Sequence, residues 1–142
     1  DIIKMAQWAY DHEYGSITLQ SGERSDDIFV DYVVDLIRDI KAIGDGSLGI
    51  TMCVGEQSEE AYRRMREAGA SRYLLRIETT NKELYHKIHP QDELHSFETR
   101  VECLRRLRRV GFQVGTGVMI GLPGQTEEDY FNGSAMDSAT SE

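Results

Sequence analysis

GITMCVGEQSEEAYRRMREAG, residues 49–69, is the stretch on which the fold turns. Gly49-Ile50-Thr51-Met52-Cys53-Val54 is a short apolar run that reads as a strand, and Gly55-Glu56-Gln57 is its exit loop. Ser58 stands where a hydroxyl can cap a helix that carries Ala61, Met65 and Ala68 inward, and Gly69 stops it. A strand, a short polar loop and an amphipathic helix in this order form one βα unit.

The same unit recurs in both directions. Downstream, Arg72-Tyr73-Leu74-Leu75-Arg76 reads as a strand, and Asn81 caps a short helix that must end before Pro90. A longer helix from about Ser96 to Val110 buries Phe97, Val101, Leu104 and Leu107 and stops at Gly111. The last strand runs from Gln113 to about Ile120 and leads into Gly121-Leu122-Pro123-Gly124-Gln125. Thr126-Glu127-Glu128-Asp129 then has the form of a capping box. Upstream, Ile2, Ile3, Met5, Ala6, Ala9 and Tyr10 recur at helical spacing until Gly15. Ser16-Ile17-Thr18-Leu19-Gln20 reads as a buried strand followed by the loop Ser21-Gly22-Glu23. Phe29, Val30, Val33, Val34, Leu36, Ile37 and Ile40 form an apolar stripe ended at Gly44.

Four strands that alternate with helices require parallel pairing through right-handed crossovers, which places the chain in the α/β class. Two architectures fit: an arc of a TIM-type (β/α) barrel, about four βα units long, or an open doubly wound sheet. Four strands cannot close a barrel, for which eight are usual. An arc has two raw edges, so the chain by itself is expected to be poorly stable or sticky.

The 142 residues suit one domain, with 39% hydrophobic and 29% charged residues. Sixteen Lys and Arg against 25 Asp and Glu give a formal charge of −9, which argues against nucleic acid or an anionic membrane as the main partner. Arg105, Arg106, Arg108 and Arg109 have acidic neighbours and read as a solvated helix face. No apolar run is long enough to span a bilayer, and the start shows no signal-peptide pattern. Cys53 and Cys103 match no metal-ligand spacing and are expected to be packed thiols in a cytoplasmic, reducing setting. The chain opens on Asp1 within a helical pattern, as a piece of a longer protein would. Residues 1–131 are expected to be the barrel portion and 132–142 a small, polar, disordered tail.

In parallel βα folds ligands bind at the carboxyl ends of the strands. Here these ends carry Gln20, Ser21, Gly22 and Glu23, then Glu56, then Arg76 and Glu78, then Gly115-Thr116-Gly117-Val118-Met119-Ile120-Gly121. Arg76 and Glu78 share side-chain parity and equally suit a structural ion pair or a ligand contact. The glycines form neither a Walker loop nor a dinucleotide fingerprint. Together the four ends describe a polar, charge-balanced rim suited to a zwitterionic ligand with a heterocycle.

Leu19-Gln20-Ser21-Gly22-Glu23, then Glu67-Ala68-Gly69-Ala70-Ser71-Arg72-Tyr73-Leu74-Leu75-Arg76-Ile77-Glu78-Thr79, then Gly121-Leu122-Pro123-Gly124-Gln125-Thr126-Glu127-Glu128-Asp129 resemble radical S-adenosylmethionine enzymes. Among these they are most similar to the FeFe-hydrogenase maturase of the HydE type, with biotin synthase and methylornithine synthase as relatives. The resemblance runs from Asp1 to about Tyr130. It implies a (β/α) barrel in which a 4Fe–4S cluster, held by three cysteines of a Cys-x3-Cys-x2-Cys loop, binds S-adenosylmethionine and cleaves it to methionine and a 5′-deoxyadenosyl radical. By the family pattern those cysteines lie upstream of Asp1, so this chain alone is expected to show no turnover.

Residue by residue, Ser21-Gly22-Glu23 with Gln20 resembles the element that receives the ligand's α-ammonium, which only donates hydrogen bonds. Glu78 resembles the acid that contacts the ligand. Arg76 and Arg100 resemble the basic residues near its carboxylate, where a guanidinium fork fits. Without the family, Arg100 reads as a surface residue. Gly117-Val118-Met119-Ile120-Gly121 resembles the segment against adenine, with Met119 a polarizable contact and Gly121 making room. Gly124 stands where the looser pattern often ends in Glu. The implied partners are a small-molecule or organometallic substrate and other hydrogenase maturation proteins. The competing readings are a biotin synthase-like or methylornithine synthase-like enzyme, a non-catalytic barrel-derived binding domain, and a phosphate-binding barrel. Glu23, Glu127, Glu128 and Asp129 speak against the last by making the field near the glycines acidic.

Overall fold

The structure is a computed structural model that describes residues 1–90 and 95–130. The elements are α1 (Ile2–Asp11), β1 (Ser16–Gln20), α2 (Asp27–Lys41), β2 (Gly49–Cys53), α3 (Glu59–Ala68), β3 (Arg72–Leu74), α4 (Lys82–Ile88), α5 (Phe97–Arg109) and β4 (Gln113–Gly115). Helix starts follow the local chemistry. Asp26, Ser58, Asn81 and Ser96 each accept a hydrogen bond from the backbone N–H three residues on, satisfying a donor the helix leaves free.

The four strands are parallel and lie in chain order, β1-β2-β3-β4. Their register sets Ile17 beside Ile50, Leu19 beside Met52, Met52 beside Tyr73 and Tyr73 beside Val114. This row packs into a core with Val33, Ile37 and Ile40 of α2, Tyr62 and Met65 of α3 and Leu104 and Leu107 of α5. The alternate residues, among them Gln20, Thr51, Cys53 and Arg76, are exposed or half-buried on the other face. The helices follow one another around the covered face, α1 against α2, α2 against α3 and α3 against α5. A doubly wound sheet reverses its strand order and carries helices on both faces. This sheet does neither, so it is an arc of a (β/α) barrel, and the alternative left open by the sequence falls away.

Three local expectations are corrected. β1 is not a buried strand: Ile17 and Leu19 are half-buried and Ser16, Thr18 and Gln20 exposed. It is an edge of the sheet, and an apolar groove of about 880 Å³ between α1, β1 and α2 runs along it, lined by Ala6, Trp8, Ile17, Leu19, Phe29 and Val33 among others. The third and fourth strands are shorter than Arg72–Arg76 and Gln113–Ile120, because their ladder breaks after Leu74 and Gly115 and touches again only at Glu78 and Val118. Cys53 is half-buried, since it ends β2 on the uncovered face, while Cys103 is fully packed. Burial raises the Cys103 thiol above its ordinary pKa.

Arg109 binds Glu59 and Glu102, and Arg106 lies by Glu102, so the basic run of α5 is an outward face threaded with ion pairs. Among the described residues no helix is long and apolar enough to cross a membrane. The polar segment 132–142 lies outside the described residues.

Candidate functional site

The loops at the carboxyl ends of the four strands meet at one rim. Buried side chains beneath hold them there. Gln57 Nε2 donates to Arg24 O at 2.6 Å and to Val54 O at 2.9 Å, joining the loops after β1 and β2. The Tyr73 hydroxyl donates to Gly55 O at 2.8 Å, and the Gln57 N–H donates to the Tyr62 hydroxyl at 3.0 Å. Burial raises the pKa of both phenols, so each stays neutral and serves as a hydrogen-bond strut.

On this base stands a cluster of charges. Arg100, in the first turn of α5, is only 6% exposed. Its Nη2 donates to Glu23 Oε1 at 2.9 Å, and its Nε lies 2.9 Å from Glu56 Oε1 and 3.2 Å from the Tyr85 hydroxyl. His95 Nε2 lies 3.0 Å from the other oxygen of Glu23. Burial opposes the charge of Arg100, but the bond to Tyr85 and the two carboxylates outweigh it and raise its pKa above the usual guanidinium value. Desolvation likewise raises the Tyr85 phenol, against the lowering effect of Arg100.

Gly55 makes the Glu23 position possible. Its φ is +75°, and a Cβ there would stand 2.5 Å from Glu23 Cγ and 2.9 Å from Cδ. The stem of Glu23 crosses the space that any other residue would fill.

A second cluster lies at the β3–β4 end. Arg76 Nε is 3.5 Å from Glu78 Oε1, and the Arg76 side chain is half exposed. The two therefore form the ion pair that their parity allows. Met119 is half exposed and donates its N–H to Glu78 O at 2.7 Å. Gly121 has φ +88° with open space around it. Gln125 shapes this loop, accepting from Gly121 N–H at 2.8 Å and Leu122 N–H at 3.0 Å while donating to Met119 O at 2.7 Å. One half of the expected capping box forms: Asp129 accepts from the Thr126 N–H at 2.8 Å and from its hydroxyl at 3.0 Å, while the Asp129 N–H donates to the Thr126 carbonyl at 3.2 Å and not to the hydroxyl.

Of the residues singled out from the sequence, Glu23 and Arg100 come together directly, as do Arg76, Glu78 and Met119. Gln20, Ser21 and Gly22 are exposed at the end of β1, with Ser21 N–H bonded to Cys53 O at 3.2 Å. Tyr85, Gln57 and His95 escaped the sequence reading. Tyr85 lies at helical spacing beside an apolar residue and looks like core, and His95 is an isolated histidine; neither carries a local signal. Among the described residues no group of three or more His, Cys, Asp or Glu is placed to hold a metal ion.

The model of the radical SAM superfamily matches residues 1–131. The chain is 41% identical over 130 residues to the FeFe hydrogenase maturase subunit HydE of Thermotoga maritima, covering 91% of this chain and 35% of that protein. It is 28% identical over 130 residues to biotin synthase of Anoxybacillus flavithermus, covering 90% and 37%. The crystal structure of methylornithine synthase (PylB) is similar with a TM-score of 0.80 at 23% identity, over 98% of this chain and 40% of that one. HydG, a maturase of the FeFe hydrogenase, is similar with a TM-score of 0.75 at 24% identity, over 86% and 28%. The two structures bear on the fold alone. The chain spans about 35% to 37% of the length of these two curated relatives.

Proposed function

Because this chain belongs to the radical SAM superfamily, we propose that it forms the middle of an enzyme that binds S-adenosylmethionine across the rim and cleaves it reductively. The enzyme type we propose is a hydrogenase maturase like HydE, acting in the cytoplasm on a small or organometallic substrate beside other maturation proteins. The identity to HydE, 41% against 28% for biotin synthase over similar spans, supports the maturase reading over the biotin synthase one.

The observation that carries the site reading is the gathering of opposite charges at the carboxyl ends of the strands, Glu23 and Glu56 about Arg100 and Glu78 beside Arg76. Glu23, with its side chain about a third exposed, offers carboxylate lone pairs beyond those used by Arg100 and His95. It and the exposed segment Gln20, Ser21 and Gly22 beside it suit the ligand's ammonium. Arg76 is the more accessible guanidinium and suits the carboxylate, whereas Arg100 is more deeply enclosed and holds Glu23 in place. Glu78 sits beside Arg76 to accept from the ligand. Met119 and the open space at Gly121 suit a flat ring. The donor set therefore fits an α-amino acid joined to a heterocycle.

A reduced 4Fe–4S cluster, where bound, would supply the one electron that cleaves the sulfonium bond of S-adenosylmethionine. The residues here do not fit the cluster itself: a three-cysteine loop is needed, and Cys53 and Cys103 are the two cysteines of the chain. No step through the cluster is assigned to them, and the chain alone is expected to give no turnover.

Titration calorimetry with S-adenosylmethionine tests the reading. The full-length protein should bind it, and Glu23→Gln and Arg76→Met should each weaken binding about tenfold or more. Binding unaffected by both substitutions would remove the rim as the site. Deoxyadenosine formed by the 142-residue chain after iron–sulfur reconstitution would overturn the expectation of no turnover.

A further inference from the structure

The ladder between β3 and β4 pairs Arg72 with Gln113, Tyr73 with Val114 and Leu74 with Gly115, and then resumes at Glu78 with Val118. Between these points lie Leu75, Arg76 and Ile77 on one side and Thr116 and Gly117 on the other. The β3 side therefore carries an extra residue, which is a β-bulge, here between parallel strands, where bulges are rare.

A side chain fills the break. The Thr116 hydroxyl donates to Leu75 O at 2.9 Å and accepts from Ile77 N–H at 3.2 Å. It satisfies two backbone groups that the bulge takes out of the ladder. Just beyond, Thr79 N–H donates to Ile77 O at 2.8 Å, a γ-turn centred on Glu78 at φ +64°. This is the rarer, strained form of that turn, and the left-handed backbone is costly for a residue with a Cβ. Glu78 is held there on both sides, its N–H donating to Gly117 O at 3.0 Å and its carbonyl accepting from Met119 N–H at 2.7 Å.

A regular ladder would satisfy these backbone groups without a hydroxyl and without strain. What the bulge adds is the side-chain arrangement, in which the Glu78 carboxylate lies 3.5 Å from Arg76 Nε at the strand ends. We propose that Thr116 is a positioning residue, whose hydroxyl holds the bulge that presents Arg76 and Glu78 to the amino acid end of S-adenosylmethionine. The inference rests on the reading of the rim as that ligand's site.

The test compares the full-length wild-type protein with Thr116→Val, which keeps the shape and removes the hydroxyl, and with Thr116→Ser, which keeps the hydroxyl. Two quantities are read: affinity for S-adenosylmethionine by calorimetry, and exchange of the Ile77 amide in the ligand-free protein. Thr116→Val should bind about tenfold more weakly and exchange at Ile77 about tenfold faster, with Thr116→Ser restoring both. Thr116→Ala leaves room for a bridging water, should lie between the two, and serves where the valine variant fails to fold. A lowered melting temperature with unchanged affinity would mean a structural role only and would overturn the proposal, as would unchanged exchange at Ile77. Absence of binding by the wild-type protein would instead bring down the reading of the rim. Wild-type binding with unaltered affinity in the variants strikes the positioning role alone.

Discussion

Arg100 and Glu23 are 77 positions apart in sequence and 2.9 Å apart in space. The pair joins the loop after β1 to the start of α5, and Glu56 brings the loop after β2 into the same cluster. A guanidinium 6% exposed is stable there because its donors meet carboxylates and a phenol, and those carboxylates in turn depend on it.

Arg100→Met should therefore cost about 3 kcal/mol of stability, since it removes the guanidinium from the enclosed Glu56 carboxylate and leaves the partly exposed Glu23 beside His95. Arg100→Lys should recover only part, having one charged centre where the guanidinium reaches Glu23, Glu56 and Tyr85. Urea unfolding of the three proteins measures this. Equal midpoints would mean that the cluster contributes nothing.

Gly55→Ala introduces a Cβ 2.5 Å from the Glu23 stem, at a backbone angle that favours glycine. The stem must swing aside and the αL conformation costs about 1–2 kcal/mol. Thermal unfolding should show the loss, and calorimetry should show weaker binding of S-adenosylmethionine because Glu23 is displaced. Wild-type affinity in this variant would separate the Glu23 position from ligand binding.

At Glu78 the expected order of stability is unusual. Glu78→Gly relieves the left-handed strain while giving up a loose ion pair worth about 0–1 kcal/mol. Glu78→Ala gives up the pair and keeps the strain. The glycine variant should thus be more stable than the alanine variant by about 1 kcal/mol, although glycine destabilises regular strands. The reverse order in denaturant unfolding would deny that the γ-turn is strained.

Tyr62, Tyr73 and Tyr85 all have pKa values raised by burial. In the unfolded chain such phenols ionise near pH 10, about the ordinary value. The unfolded state therefore releases protons that the folded state retains, and stability falls as pH rises above about 10. Absorbance titration of the phenolate should show these three ionising only with the loss of near-ultraviolet circular dichroism. Their ionisation in the folded protein would contradict the burial.

The two thiols should separate in reactivity. Cys53 is half-buried on the uncovered face, while Cys103 is packed, with its thiol raised by burial and its Sγ 3.8 Å from Gln57 O. Under native conditions a thiol reagent should label Cys53 well before Cys103, and denaturant should make the rates equal. Labelling in the opposite order, read by mass spectrometry of the peptides, would show that β2 ends differently.

What the sequence by itself determined is what depends on neighbours a few residues away. The order of helices and strands follows from apolar spacing, and the starts at Ser58 and Asn81 follow from side chains that cap their own helix. Parallel pairing follows too, because strands separated by helices have no other short route. The tertiary structure decided what depends on a partner far along the chain. Strand order and helices on a single face chose the barrel arc over the doubly wound sheet, a choice that rests on where each crossover packs. Arg100 looks like a surface arginine until Glu23, Glu56 and Tyr85 close around it, and Gly55 looks like a turn glycine until the Glu23 stem crosses it. The third and fourth strands read longer than they are, because apolar alternation continues through Ile77 and Ile120 while the ladder does not. A register break is a property of two strands together, and neither strand's own residues announce it.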